Sequence, residues 1–222
     1  NATLSLADLG GQLRRRTLGG QASARWTADR GEVDADLRLG DSRLRAKGGF
    51  GARYDLVVEA SPLVLADAVA GAEGRLDGRL ELRGAPPALD VAGALSADAI
   101  AWNGWRAEAL RLDGALPVAG QGALRLLARG LSLDGVAFDA LAVDLSGNQS
   151  QAAMQAVATW PQGRAEATAN LAREAGRWSG RIDALRLAVD GQPALRLEAP
   201  STFAHGREGF VLDRSCLVAD GL

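Results

Sequence analysis

The sequence predicts an all-β protein, and three observations lead to that prediction. Residues 75–84, RLDGRLELRG, place Leu76, Leu80 and Leu82 on one side of an alternation and charged residues on the other. Such a period of two indicates a half-buried strand, because successive side chains point to opposite faces. Asp-Gly and Ser-Gly pairs, which are typical of tight turns, recur between similar runs. Turns this closely spaced favour antiparallel pairing, since a parallel crossover needs a dozen or more residues.

The same alternation continues along the chain and predicts about 15–18 short strands, many of five to seven residues. The runs are 32–40, 54–60, 75–84, 88–97, 110–114, 123–130, 131–135, 141–147, 184–191, 194–200 and 210–218. The turn pairs between them are 77–78, 113–114, 134–135, 146–147 and 190–191. The polar stretch 146–151 is predicted to be a loop.

Two segments depart from the alternation and suggest short helices. Residues 4–13 and 63–71 space their apolar side chains as a helix does and then run into glycine. Both contain the pattern L-x-L-A-D, starting at Leu4 and Leu63, so we interpret them as the starts of an internal repeat. No linker divides the sequence, and we expect residues 1–222 to form a single elongated β-repeat fragment.

The charge balance argues against a nucleic-acid surface. The net charge is −2 with both signs interspersed, whereas nucleic-acid binding needs a basic stripe. No apolar run reaches the ~18 residues of a membrane span, and no signal peptide precedes the first strand. We therefore expect a piece of a longer protein, in which any membrane contact is made by parts outside these residues.

Residues suited to catalysis are scarce. Cys216 and His205 are the one thiol and the one imidazole of the chain, and we interpret them as a packed cysteine and a loop histidine. The aspartates that precede glycines are explained by turn geometry, and the other carboxylates by a solvated strand face. Phosphate loops, dinucleotide fingerprints and zinc-ligand spacings are missing from the sequence. We expect no enzyme, no metal and no cofactor, and we expect the tryptophans to pack at strand ends.

A sheet with one apolar face must bury that face or offer it to a ligand. A sandwich or β-helix would pack the apolar faces into a dry core. A sheet curled into a trough would instead leave a continuous apolar groove, the kind of surface that marks a binding site. The alternation by itself leaves both arrangements open.

The order of several degenerate motifs resembles the TamB family. Residues 65–114 contain LADAVAG, then glycine-rich strands, then Pro86-Pro87 opening the next strand. Residues 171–221 contain RWSGRIDALRLAVDG, ALRLEAP and GFVLDRSCLVADG, and similar elements follow in the same order in TamB chains. The resemblance implies a taco-like trough with an apolar interior, in a periplasmic protein that is anchored in the inner membrane.

The resemblance also implies a function. TamB proteins are implicated in phospholipid traffic between the two membranes and in outer-membrane protein assembly, together with an outer-membrane partner, TamA. With the alternation, this predicts a groove for phospholipid acyl chains. Its predicted lining is Leu76, Leu80, Leu82, Leu89, Val91, Leu110, Leu112, Leu124, Leu126, Leu141, Val143, Leu145, Leu185, Leu187, Leu195 and Leu197. Two alternatives remain: a chaperone-like scaffold that templates strands of outer-membrane proteins, and a purely structural β-helix or stalk.

Overall fold

A computed structural model describes residues 2–86, 88–133, 135–174, 177–206 and 209–219, and confirms the predicted fold class. Its 17 strands belong to an antiparallel sheet, and the only described helix has four residues. The strands are β1 (Ala2–Leu13), β2 (Arg16–Trp26), β3 (Arg30–Leu39), β4 (Ser42–Gly51), β5 (Tyr54–Val64), β6 (Glu73–Ala85), β7 (Ala88–Trp102), β8 (Trp105–Leu116), β9 (Gly122–Leu133), β10 (Val136–Gly147), β11 (Gln151–Trp160), β12 (Gly163–Glu174), β13 (Arg177–Val189), β14 (Leu195–Leu197), β15 (Ser201–Gly206), β16 (Gly209–Leu212) and β17 (Leu217–Ala219); the helix is α1 (Leu65–Ala68).

The chain divides into two compact units, residues 1–115 and 116–222. In the first unit, each strand from β1 to β7 pairs antiparallel with the next one along the chain. In the second unit, β9 to β13 pair in the same consecutive way. There β13 also pairs with both β14 and β15, which pair in turn with β17 and β16.

Most strands are longer than the runs that predicted them. The first thirteen contain 10 to 15 residues, because some predicted turns lie inside strands. Asp77-Gly78 is in the middle of β6, and a Cβ atom on Gly78 would lie 2.3 Å from the Ala94 carbonyl oxygen of β7. Glycine at this position permits a close backbone approach and does not mark a turn. Asp113-Gly114 likewise lies within β8, whereas Asp190-Gly191 forms the expected turn.

The helix predicted at residues 4–13 is wrong, because this segment is strand β1. Leu6 pairs with Ala22 and Leu9 with Gly20, so two residues of β1 oppose one of β2. Such a β-bulge inserts one extra residue and changes which residues share a face. The resulting i, i+3 spacing of leucines resembles that of a helix. The second helical prediction is confirmed in part, since α1 occupies four residues of 63–71.

Helix α1 is held in place by a buried carboxylate. The Asp67 side chain is 2% exposed; its Oδ2 accepts a hydrogen bond from Ser42 Oγ at 3.0 Å, and its Oδ1 lies 3.0 Å from Arg16 Nε. Ser42 Oγ also accepts a hydrogen bond from the backbone N–H of Val64. A buried charge needs such partners, and they attach α1 to the ends of β2 and β4.

Two further sequence-based predictions fall partly outside the described residues. The proposed strand opening at Pro86-Pro87 includes Pro87, and the proposed turn at Asp134-Gly135 includes Asp134; neither of these two residues belongs to the described part of the chain. The predicted loop at 146–151 is shorter than expected, because β10 ends at Gly147 and β11 begins at Gln151.

Candidate apolar binding face

The strand registers of the first unit bring its predicted lining residues of β6 and β7 onto one face. Leu82 pairs with Val91, Gly84 with Leu89, and Leu80 with a glycine of β7. Paired residues of an antiparallel ladder point to the same side of the sheet. Leu76, which pairs with Ala97, therefore joins the same row. We call this side of the sheet the leucine face and the opposite side the charged face.

The second unit repeats this arrangement. Leu126 pairs with Val143, Leu124 with Leu145, and Leu141 with both Ala128 and Ala158. Farther along, the predicted residues of β13 and β14 meet at one pair, Leu187 with Leu195. Leu185 and Leu197 lie two residues from them along their strands, on the same side. The remaining two predicted residues, Leu110 and Leu112, belong to the first unit, where they are half-buried and two apart on β8.

The leucine face lacks the burial of a dry core. Fourteen of the 16 predicted lining residues are half-buried, Val91 is exposed, and Leu197 is buried. Among the described residues, no side chain is fully buried, and seven of the nine buried apolar residues are alanines. In a sandwich core, leucines and valines would be the most deeply buried residues.

The first 63 residues contribute a large part of the leucine face that the predicted lining does not include. The registers place on it Leu4, Leu6, Leu9, Leu18, Leu37, Leu39, Leu44, Leu56, Val58 and Leu63, as well as Leu95 of β7. The signal was available, because residues 32–40 alternate as clearly as residues 75–84 do. Bulges between Leu6 and Leu9 and between Ala60 and Leu63 keep leucines on this face where simple alternation would change sides.

The charged face carries ion pairs between residues directly opposite each other. In the first unit, Lys47 Nζ lies 2.8 Å from Asp34 Oδ2, and Arg79 pairs with Glu59. These partners raise the pKa values of Lys47 and Arg79. Exposed pairs of this kind contribute little individually to stability. Their regular placement does fix this side of the sheet as the one that faces water.

Asp36 has the most strongly perturbed carboxylate on the charged face. Arg43 Nη2 donates a hydrogen bond to Asp36 Oδ2 at 2.6 Å, and Arg45 Nε donates one to the same oxygen at 3.2 Å. The hydrogen bond from Arg43 is the main cause that lowers the pKa of Asp36 from 3.8 to about 2. Asp36 therefore stays ionised at neutral pH and serves as an anchor between β3 and β4.

A cleft of about 900 Å³ lies in the second unit, and most of its lining belongs to the charged face. Asn170, Ser179 and Arg181 contribute to its wall, together with small side chains of the neighbouring strands. This cleft is thus separate in character from the leucine rows. Arg181 is already paired with Asp183 through an Nε–Oδ1 distance of 2.7 Å.

The structure corrects the placement of the cysteine and the histidine. Cys216 is exposed rather than packed, and His205 lies in strand β15 rather than in a loop. His205 pairs with Trp178 of β13 and with Phe210 of β16. Within the described ranges, His, Cys, Asp and Glu do not form a group of three or more that could hold a metal ion.

The tryptophans differ in their surroundings. Trp160 packs edge-on against Phe138, with ring centroids 6.4 Å apart, as expected for packing at a strand end. Trp102 and Trp105 are instead 50% and 58% exposed on either side of a turn, so the packing interpretation is wrong for them.

Comparison with known proteins identifies the family. The family model described as TamB, N-terminal domain, matches residues 1–216. Neither the curated proteins nor the solved structures provide a match to the chain. Across the residues that the structure describes, no helix has the length and apolar character needed to cross a membrane. With its family model covering all but the last few residues, and with the long antiparallel sheet expected from the resemblance, this chain belongs to the TamB family.

Proposed function

We propose that this chain is part of a periplasmic bridge between the inner and outer membranes, and that its leucine face carries phospholipid acyl chains. In this role it would support outer-membrane lipid homeostasis and protein assembly. The full-length protein would be anchored in the inner membrane and would work with TamA. Family membership supports the bridge. The single observation that supports acyl-chain carriage is the half-buried state of nearly all the predicted lining residues.

The energetics suit an acyl chain. Each methylene group removed from water contributes about 0.8 kcal/mol. The rows around Leu80, Leu126 and Val143 consist of aliphatic side chains and glycine, with their registers aligned from strand to strand. A uniform aliphatic surface offers no deep polar well, so a lipid tail should slide along it over small barriers. A headgroup would stay in water.

Charged substitutions on the leucine face test this proposal. We expect Val143→Arg and Leu82→Asp to give folded protein without copurifying phospholipid, because a charge placed in the row prevents burial of an acyl chain. Two controls carry the same substitutions on exposed positions of the charged face: Ala123→Arg, opposite Ser146, and Ala94→Asp, opposite Arg79. Both controls should retain lipid. Lipid extraction followed by mass spectrometry is the measurement.

Photo-crosslinking gives a second measurement of the same proposal. A photoreactive residue at position 82 or 143 should label phospholipid, whereas one at position 94 or 123 should not. Equal labelling from both faces, or purified protein without any lipid, would contradict the proposal. Crosslinks to outer-membrane proteins in place of lipid would favour the strand-scaffold alternative.

A further inference from the structure

The tip of the β7–β8 hairpin presents two tryptophans that no function described above requires. Asn103 and Gly104 form the turn and have positive φ angles of 46° and 83°. Positive φ at both central residues is typical of a tight type I′ hairpin turn. Trp102 and Trp105 flank this turn directly, so the turn places both side chains at the tip of the hairpin.

These two rings are more exposed than the other tryptophans of the described chain. Trp102 is 50% and Trp105 58% exposed, whereas Trp26 and Trp178 are 40% and 37% exposed. An indole ring combines a large apolar surface with one N–H donor, and it therefore favours an interface that is apolar on one side and wet on the other. Leaving two such rings in water loses the burial free energy that this interface would supply.

The residues around the tip have the composition of a bilayer contact. Residues 102–107 read WNGWRA, in which Arg106 is exposed. The nearest acidic residues, Glu73 and Glu108, are exposed as well and lie outside this hexapeptide. Tryptophan gathers at membrane–water interfaces, and arginine can extend its charged end toward headgroups. An anionic phosphate is the complementary partner for Arg106.

A neighbouring connection adds a third apolar side chain. Glu73 at the start of β6 pairs with Ala101, one residue before Trp102, so the connection from α1 to β6 reaches the sheet beside the tip. Val69 of this connection is 42% exposed. The buried Asp67 holds helix α1 in place, and Val69 directly follows this helix, so the start of the connection has a defined position.

We propose that Trp102, Trp105 and Val69 form a contact site for the surface of an anionic phospholipid bilayer, with Arg106 pairing with lipid phosphate. The rings insert at the headgroup level while the turn between them remains wet. This inference revises the expectation that membrane contact lies only outside these residues. It does not rest on acyl-chain carriage by the leucine face, since the tip can bind a bilayer whether or not phospholipid moves from that bilayer to the leucine face.

Vesicle flotation of the 222-residue protein tests the contact site. We expect the protein to float with vesicles of phosphatidylcholine and phosphatidylglycerol. The variant W102A/W105A should bind these vesicles at least about tenfold more weakly. The matched control W26A/W178A, which removes two tryptophans elsewhere, should bind as the unmodified protein does. Far-UV circular dichroism checks that each variant keeps its strands.

Two milder variants keep the test decisive if the double alanine variant does not fold. Asn103→Asp adds a negative charge at a position where aspartate tolerates the required φ, and Arg106→Gln removes the positive one. Both should weaken binding to the anionic vesicles more than binding to pure phosphatidylcholine, because the choline group balances the charge of the phosphate in that lipid. The proposal is overturned if the unmodified protein binds neither vesicle, if W26A/W178A loses as much binding as W102A/W105A, or if Asn103→Asp and Arg106→Gln both bind normally.

Discussion

At the residue scale, the charged face is stabilised by ion pairs whose carboxylates lie on the same strands as the leucines. Asp36 is held by Arg43 and Arg45 across the β3–β4 ladder, and its pKa falls from 3.8 to about 2. A lowered folded-state pKa means that the carboxylate stabilises the fold while it is ionised. This contribution is fully present above pH 3.8 and is lost as the pH falls toward about 2.

Asp36→Asn should remove part of the acid sensitivity of the protein. The native protein loses the stabilisation from ionised Asp36 as the pH falls from 3.8 toward about 2. An asparagine does not titrate in this range, so the variant lacks that stabilisation at every pH and cannot lose it. Urea unfolding midpoints measured at intervals from neutral pH down to about pH 2 provide the check. The control is Asp41→Asn at an exposed turn position, which should keep the native pH profile. If the urea midpoints of Asp36→Asn and Asp41→Asn change with pH in the same way, the ion pairs of Asp36 with Arg43 and Arg45 contribute nothing to the pH dependence of stability.

At the element scale, bulges keep each strand correctly oriented. Thr168 pairs with Ala184 and Ala169 with Ile182, so Asp183 is an extra residue in β13. Without it, Ile182 and Leu185 would be separated by two positions and would still share a face. In β10, by contrast, Asp144 lies in regular alternation between Val143 and Leu145.

Single deletions should distinguish these two positions. Deleting Asp183 leaves every apolar side chain of β13 on its face, so we expect a small loss of stability. Deleting Asp144 moves leucine or valine to the charged face and disrupts the pairing of β10 with both β9 and β11. The free energy of unfolding should fall by about 1 kcal/mol for each displaced half-buried side chain, in addition to the loss from the disrupted pairing. The deletions are well matched, since each removes an aspartate that pairs with an arginine. Urea denaturation measures both, and equal losses would refute the assignment of Asp183 as a bulge.

At the scale of the whole molecule, each unit presents apolar side chains that its described residues do not fully bury. A native protein with this property should increase the fluorescence of the dye ANS, which otherwise responds mainly to partly unfolded states. We expect the lipid-free protein to do so at neutral pH, with phospholipid displacing the dye. Leu82→Asp should bind less dye than Ala94→Asp. A lipid-free protein that leaves the fluorescence unchanged would indicate that the leucine face is covered.

Much of the fold could be predicted because alternation is a local signal. The residues of 75–84 predict their own faces, and the registers of β5, β6 and β7 agree with that prediction residue by residue. The helix predicted at 4–13 was wrong because a bulge cannot be told from a helical turn by the spacing of Leu6 and Leu9 alone. The strand ends at Gly78 and Gly114 were wrong because glycine serves both turns and close strand contacts.

The sequence by itself determined that this protein is a two-faced, all-β chain with aliphatic rows on one side and charges on the other, because strand periodicity is written in neighbouring residues. Only the tertiary structure decided which leucines meet across strands, how far they are buried, and which tryptophans remain exposed. These properties depend on register and on what lies above a face, and both are set by residues distant in the chain. The resemblance to TamB suggested the lipid role from motif order, and the half-buried leucine face provides the physical surface on which that role can now be tested.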